Sequence, residues 1–547
     1  MTTMLRVLGF LSWLTLFAGA VPAQSRAEFR FQFAAGQERA KVQVRYEGCE
    51  AARFDVAMPA WKPGSYTIHD FGKNVVDIHA HDGDGKELNL EGDDPNAWHI
   101  HADGAKTIVI DYELVTRPKS GFGPGYSLGK GLGPQDKPKE GSDPDAKDPA
   151  TWQAYGFEGP ACWLYVPGKI GIPHRVTFDL PADWDIATGL QRVDDKALIF
   201  EAPDYDVFTD CPFHVGHFER KSFDADGARY EIVMSGFAQD RHDRDEIVDR
   251  YRRIVAAHHA MWGKPPYSRY VFLIGYPGGG GLEHLNSCDM GMMDLSGSEP
   301  GKPSAWDSLV SHEFFHCHNV KRLRPEALGP FDYSGPNRTK FLWLSEGVTS
   351  YYGDVLLVRA GIWDADHFWL NAIGDEIRTL QANPGRLKMS IAEASWTVWD
   401  APYMRRGRTA PDYYNKGELL GLLLDIAIRD ATDDGKSFDD VMRALYEQCM
   451  STGKGFADGD VASMCSKVAG KPMDEFFAKY VDGVEELPFA EMLAKIGIRF
   501  AKQEAQGDEA EQGNRRRRRE AIRLEFDPEA GERAQKLRAA ITAPIAR

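Results

Sequence analysis

Ser311-His312-Glu313-Phe314-Phe315-His316 sets two imidazoles four residues apart around a carboxylate. On a helix, positions four apart share a face, so His312 and His316 can present their rings to one ion. Glu313 lies about 100° round from His312, where it can reach a metal-bound water. Phe314 and Phe315 turn to the core on the other side. Taken alone, the same letters also fit a helix with two unrelated histidines. A catalytic zinc needs a third protein ligand and keeps one position open. Thirty residues after His316 comes Leu342-Trp343-Leu344-Ser345-Glu346-Gly347-Val348-Thr349-Ser350-Tyr351-Tyr352. Glu346 is a lone carboxylate in an apolar, helical stretch, and a buried carboxylate without a cation is costly. By itself it could be a surface acid at a helix start. Beside the histidine pair it becomes the third ligand, and two His with one carboxylate suit one zinc ion per chain.

The neighbours of this segment read more simply. His318 points away from the ligand face and is structural, and Cys317 is a small buried residue. Lys321, Arg322 and Arg324 could bind nearby carboxylates, but such a cluster commonly closes a helix C-terminus. Upstream, Tyr276-Pro277-Gly278-Gly279-Gly280-Gly281-Leu282-Glu283-His284 follows a strand-like Tyr270-Val271-Phe272-Leu273-Ile274. Glycines such as Gly280 and Gly281 let a backbone lie close to an extended substrate. Glu283 could hold a cationic group such as a peptide amine. Without further evidence this is a flexible glycine loop with a surface acid. Downstream, Tyr413-Tyr414-Asn415-Lys416-Gly417 opens a leucine-rich helix over 417–430. A tyrosine there could donate to the oxyanion of a tetrahedral intermediate, or could simply pack.

The chain of 547 residues is long enough for two or three domains. Its net charge of −17 excludes a general nucleic-acid binder, which needs a basic face. Residues 1–23 read as a signal peptide: Arg6, an apolar run from Val7 to Ala18, then Val21-Pro22-Ala23. The run is too short to span a bilayer, and no later segment is long and apolar enough. An exported, periplasmic or secreted protein without a membrane span is expected. Seven cysteines remain, with no CxxC pair, so a cysteine zinc site or cysteine enzyme is disfavoured. Cys449 and Cys465 are near enough in sequence to pair. Residues 24–235 are β-rich, with alternation in Lys41-Val42-Gln43-Val44-Arg45-Tyr46 and a polar loop over 118–149. Residues 236–488 turn mostly helical, beginning with a helix over 245–262. Residues 489–547 form a polar tail carrying five arginines at 515–519, a solvated segment.

These residues together resemble the glycyl aminopeptidase family of gluzincin metallopeptidases (metallopeptidase family sixty-one). The resemblance is carried by His312-Glu313-Phe314-Phe315-His316 with Asn319-Val320-Lys321-Arg322, and by Trp343-Leu344-Ser345-Glu346-Gly347 with Tyr351-Tyr352. Gly280-Gly281-Leu282-Glu283-His284 and Tyr414-Asn415-Lys416-Gly417 extend it. So does Met58-Pro59-Ala60-Trp61-Lys62-Pro63-Gly64-Ser65-Tyr66, followed by Asp70-Phe71. The resemblance implies an α+β multidomain fold, an N-terminal β-sandwich ahead of a thermolysin-like, mostly helical catalytic domain. It implies removal of N-terminal glycine or alanine from peptides. His312, His316 and Glu346 would then hold zinc and Glu313 would be the general base. Glu283 would grip the free α-amine, and Tyr414, with Tyr413 as the alternative, would stabilise the oxyanion. The chain departs from the family in having no complete PDZ domain after Gly497, in its 118–149 segment, and in Cys317-His318. A zinc endopeptidase of the same fold and a non-catalytic exported binding protein are the rival readings.

Overall fold

In the sequence around Val42, alternate side chains are apolar, and the strand Arg39–Glu47 buries them alternately. It lies inside an eight-stranded sheet, antiparallel to Ala27–Gln32 on one side and Thr107–Val115 on the other. Two three-stranded sheets complete this β-domain. One joins Asp185–Thr188, Phe213–Gly216 and Ala154–Phe157, and the other joins Arg53–Ala57, Ala97–His101 and Leu90–Asp94. Inward residues of all three sheets share one core. Aromatic rings knit it, with Phe31 edge-on to Phe157 and Phe213 at 5.2 Å each. The computed structural model describes residues 26–49, 51–115, 154–194, 197–236, 243–275, 278–291, 304–401, 409–501 and 522–545. The expected signal peptide at 1–23, the expected loop at 118–149 and the five arginines at 515–519 lie outside the described residues.

The second half is built on a five-stranded sheet in the order Glu219–Ala225, Ala228–Ser235, Arg269–Gly275, Ser287–Gly291, Gly281–Glu283. The outermost strand carries Glu283, pairing antiparallel with Ser287–Gly291. Against the sheet pack α1 (Arg244–Trp262) and α2 (Ala305–Phe315). Asp243 and Ser304 start them by accepting backbone N–H bonds. Then follow α3 (Thr349–Arg359), α4 (Ile373–Ala382) and α5 (Tyr413–Ala431). The leucine-rich helix begins at Tyr413 rather than Gly417 because the Asp412 side chain caps it at the Tyr414 N–H. The architecture is therefore a β-rich domain followed by a mostly helical one.

Residues beyond 489 do more than trail. Ile498–Phe500 pairs with Leu524–Phe526, and α6 (Glu532–Thr542) buries Leu537 and Ile541 against the helical core. Arg533 binds Asp430 and Asp433, and Arg359 donates to the Ile541 carbonyl at 2.9 Å. Too few apolar residues mark this stretch for a pattern to stand out in sequence. All seven cysteines are buried and free, so Cys449 and Cys465 are not joined. Among the described residues no helix is long and apolar enough to cross a membrane.

Candidate metal centre and peptide site

Helix α2 carries His312 in its last turn and ends on His316. Their Nε2 atoms face each other at 3.0 Å. Glu346 turns Oε2 to both, at 3.6 Å from His312 and 3.3 Å from His316. Glu346 sits in a wide π-helical turn, Trp343–Val348, that runs directly into α3. Such turns often mark functional positions. Gly347 lies against Gly417 of α5, where a Cβ would come within 2.4 Å of backbone. This contact brings the tyrosines of α5 beside the histidine pair: the Tyr414 ring lies 6.0 Å from that of His312. Tyr414 is partly exposed and Tyr413 is buried.

The donor set suits zinc on the molecule's own geometry. The Nδ1 of His316 donates to the Asn319 carbonyl at 2.7 Å, leaving the Nε2 lone pair for an ion. The Nδ1 of His312 lies 3.3 Å from Ser350 Oγ. Two facing Nε2 atoms repel unless a proton or a cation lies between them. Their spacing is near the edge, about 3.3 Å, of a tetrahedron with Zn–N bonds of about 2.0 Å. Without a metal, burial disfavours charge on His316, but Glu346 outweighs it and raises the imidazole to about 9. Burial works the other way on Glu346, and His316 holds its carboxyl below the ordinary range.

Beside this triad, ligand atoms of Glu283, Glu313 and His316 lie within 4.8 Å of one another. Both carboxylates are nearly fully buried, at 4% and 5% exposure. Glu283 Oε1 and Glu313 Oε2 have no hydrogen-bond partner among the described residues. Two buried carboxylate oxygens thus lie at the site without a hydrogen-bond partner among the described residues. Burial raises the Glu313 carboxyl well above the usual range; His316 opposes this, and Glu283 and Glu346 add to it. Gly281 makes the approach possible, since a Cβ there would stand 2.2 Å from Glu313 Oε1. Gly280 adopts φ +74° and its carbonyl accepts from the Gly291 N–H at 2.8 Å, holding the edge strand.

Four further residues, Asn319, Tyr66, Gly64 and Asp210, support the site in ways that local spacing does not reveal. Asn319 spans the two ligand segments, accepting from His316 and donating to the Leu344 carbonyl at 2.9 Å and to Thr349 Oγ1 at 3.0 Å. From the β-domain, Tyr66 buries its ring in the helical domain's core and donates to Glu346 Oε1 at 3.4 Å. Two residues before it, Gly64 backs Glu283 so closely that a Cβ would lie 2.7 Å from its Oε2. Asp210, also of the β-domain, accepts from the Leu285 N–H and from Lys321 Nζ, both at 2.7 Å, just beyond Glu283. Lys321 thus binds a carboxylate, while Arg322 closes the turn after α2 by donating to the Cys317 carbonyl. His318 stacks on Trp262 at 4.7 Å. A small cavity of about 80 Å³ adjoins Glu283, lined by Trp61, Gly64, Tyr66, Lys321 and Arg324 among others.

Residues 32–217 match the model of the peptidase M61 N-terminal domain, and residues 306–420 match that of the M61 glycyl aminopeptidase. No curated protein matches the chain. Among solved structures, the chain is similar to an aminopeptidase N family protein from Idiomarina loihiensis. The TM-score is 0.76 at 24% identity, over 87% of this chain and 79% of that one. It shares its fold with an M1 zinc metallopeptidase from Deinococcus radiodurans, at TM-score 0.52 and 12% identity, over 85% of this chain and 94% of that one. A mutant of that enzyme bound to a Tyr-Ser-Ala substrate matches equally well, at TM-score 0.52 and 12% identity over 85% and 95%. Two models of one family thus lie in order along the β-domain and the heart of the helical domain, and the protein is a peptidase of the M61 glycyl aminopeptidase family.

Proposed function

We propose that the protein is an exported zinc aminopeptidase that removes small N-terminal residues, glycine or alanine, from peptides. The observation that carries this reading is the unpartnered Glu283 edge, within 4.8 Å of Glu313 and His316. A chain end supplies the ammonium such a buried carboxylate calls for, and a mid-chain peptide does not. The small cavity beside Glu283 supports a glycyl or alanyl residue there. The leader around Val7–Ala18 and Val21-Pro22-Ala23 supports export.

His312, His316 and Glu346 would hold the ion. Zinc, when bound, supplies Lewis-acid polarisation and a lowered water pKa. Glu283 fixes the register by binding the amine, so that only the first peptide bond comes beside Glu313. Glu313 takes the proton from the attacking water and delivers it to the departing amine. The Tyr414 hydroxyl, on the partly open side of α5, donates to the developing oxyanion.

The test is a panel of aminoacyl anilides and N-acetylated counterparts, with and without chelator, on wild type, Glu313→Gln and Glu283→Ala. Glycyl and alanyl anilides should be cleaved, and chelator should abolish the reaction. Glu313→Gln should keep its zinc and lose activity by about 10²–10⁴-fold. Glu283→Ala should lose the preference for a free amine. An N-acetylated peptide cut as fast as the free one would establish an endopeptidase instead.

A further inference from the structure

A narrow strip stays partly open where α2, α3 and α5 meet. Between Leu342 and Arg359 every residue is buried except Ser350 and Asp354. Facing them, Ser308 and His312 of α2 and Tyr414 of α5 are partly open as well. The spacing explains the strip. Ser308, His312 and His316 stand four apart on α2; Glu346, Ser350 and Asp354 stand four apart into α3; Tyr414 and Glu418 stand four apart on α5. Each helix therefore carries one more residue a turn beyond the metal centre. Ser350 Oγ lies at His312 Nδ1, and Ser308 Oγ donates to Asp354 Oδ1 at 2.5 Å, so the strip is continuous.

Its far end is acidic and unbalanced. Glu418 is 6% exposed and its Oε1 has no hydrogen-bond partner among the described residues. It interacts electrostatically with Asp354 and with Glu376 of α4, and Glu376 accepts from the Asn415 amide of α5. No lysine or arginine among the described residues pairs with any of the three. Burial raises all three carboxyls, and Glu376 adds to the rise at Asp354, which reaches about 7. Nor do they form a metal cage: the convergent ligand groups among the described residues are the two at the metal centre.

Direction decides what this end meets. Glu283 lies with Glu313 and His316, at the C-terminal end of α2. Ser308 and Asp354 lie on the opposite side of His312. A peptide held by its amine at Glu283, with its first carbonyl at the histidines, runs on along the strip. One helical turn is about 5.4 Å and one extended residue about 3.3 Å. The acidic end is thus within reach of a long side chain on the residue after the scissile bond. We propose that Asp354, Glu376 and Glu418 form a subsite for a lysine or arginine at that position, the substrates being peptides that begin with a small residue followed by a basic one. A flexible ammonium stem or a guanidinium fork can reach a buried carboxylate with no cation of its own.

This inference rests on the aminopeptidase reading above. Its test measures kcat/KM of the zinc-loaded enzyme for the amides of Gly-Arg, Gly-Lys, Gly-Leu and Gly-Glu, in wild type, Glu418→Gln and Asp354→Asn. The two substitutions keep side-chain size and remove the ionisable carboxyl. Wild type should favour the basic amides over Gly-Leu by at least about tenfold, with Gly-Glu the poorest, and each variant should bring the Arg-to-Leu ratio toward one. Either variant that folds can decide the matter. Equal rates for Gly-Arg and Gly-Leu in wild type, or a basic preference that survives substitution, would overturn the subsite while leaving the aminopeptidase in place. Failure to cleave any glycyl amide would remove both.

Discussion

Replacing Tyr66 by phenylalanine removes one oxygen and keeps the ring. The ring's edge-on contact with Trp399, 6.1 Å between centroids, persists, and so does its burial. What goes is the donor on Glu346 Oε1, the carboxylate oxygen turned away from both histidines. With it in place, the carboxylate is held with Oε2 toward the histidines before any ion arrives. Without it only the histidines hold the carboxylate, and metal binding must do more to order it. Partners that orient a ligand are worth about 10–100-fold in metal affinity. At 3.4 Å this bond is longer than the usual 2.5–3.0 Å, so the low end applies: about tenfold, or about 1.4 kcal/mol. The assay is zinc competition against a chelator of known affinity, run beside thermal melting of the metal-free protein. Zinc affinity should fall about tenfold while the metal-free melting temperature stays near wild type. A lowered melting temperature with unchanged zinc affinity would refute the reasoning and make Tyr66 a packing residue alone.

Gly281→Ala should place a methyl group 2.2 Å from Glu313 Oε1 and push that carboxylate aside. Zinc content should be retained while kcat falls by at least about 10²-fold, and near-normal kcat would disprove the placement of Glu313. Acid stability should also depend on buried neutral histidines. Burial, with His259 nearby, lowers His258 to about 3, and burial lowers His174 to about 4. The unfolded chain takes protons near pH 6.5 and the folded one does not. Stability is therefore full above that pH and is lost as pH falls, by about 1.4 kcal/mol per pH unit for each histidine. Urea midpoints of the metal-free protein at pH 7, 6 and 5 would follow this loss. His258→Asn should flatten the slope by about that amount, and an unchanged slope would count against it.

The sequence exposes what is periodic and conceals what is distant. His312 and His316 are readable because a helix puts residues four apart on one face, and Glu346 because an acid in an apolar run needs a cation. Glu283 is ambiguous in sequence, since glycines before an acid fit a loose loop equally well. Only its packing against Gly64 and Glu313 distinguishes a buried grip from a surface charge. Tyr66 meets Glu346 across 280 positions, and no local pattern marks a contact of that length. Lys321 reads as a helix-end cation, yet its partner Asp210 is 111 positions earlier in the other domain. Segment 522–545 hides for another reason: Leu524, Leu537 and Ile541 anchor it with too few apolar residues to form a stripe.

The β-domain enters the helical core through Tyr66, and the helical half answers with Tyr333, whose ring is buried in the β-domain core and whose hydroxyl donates to Asp206 at 2.7 Å. Metal binding at the triad and the seating of the two halves would then be coupled. Whatever free energy the Tyr66 hydroxyl adds to zinc binding, zinc must return to the grip between the halves, because such coupling is reciprocal. Stripping the ion should loosen the contact of Tyr66 with the helical core, and prying the halves apart should shed the ion.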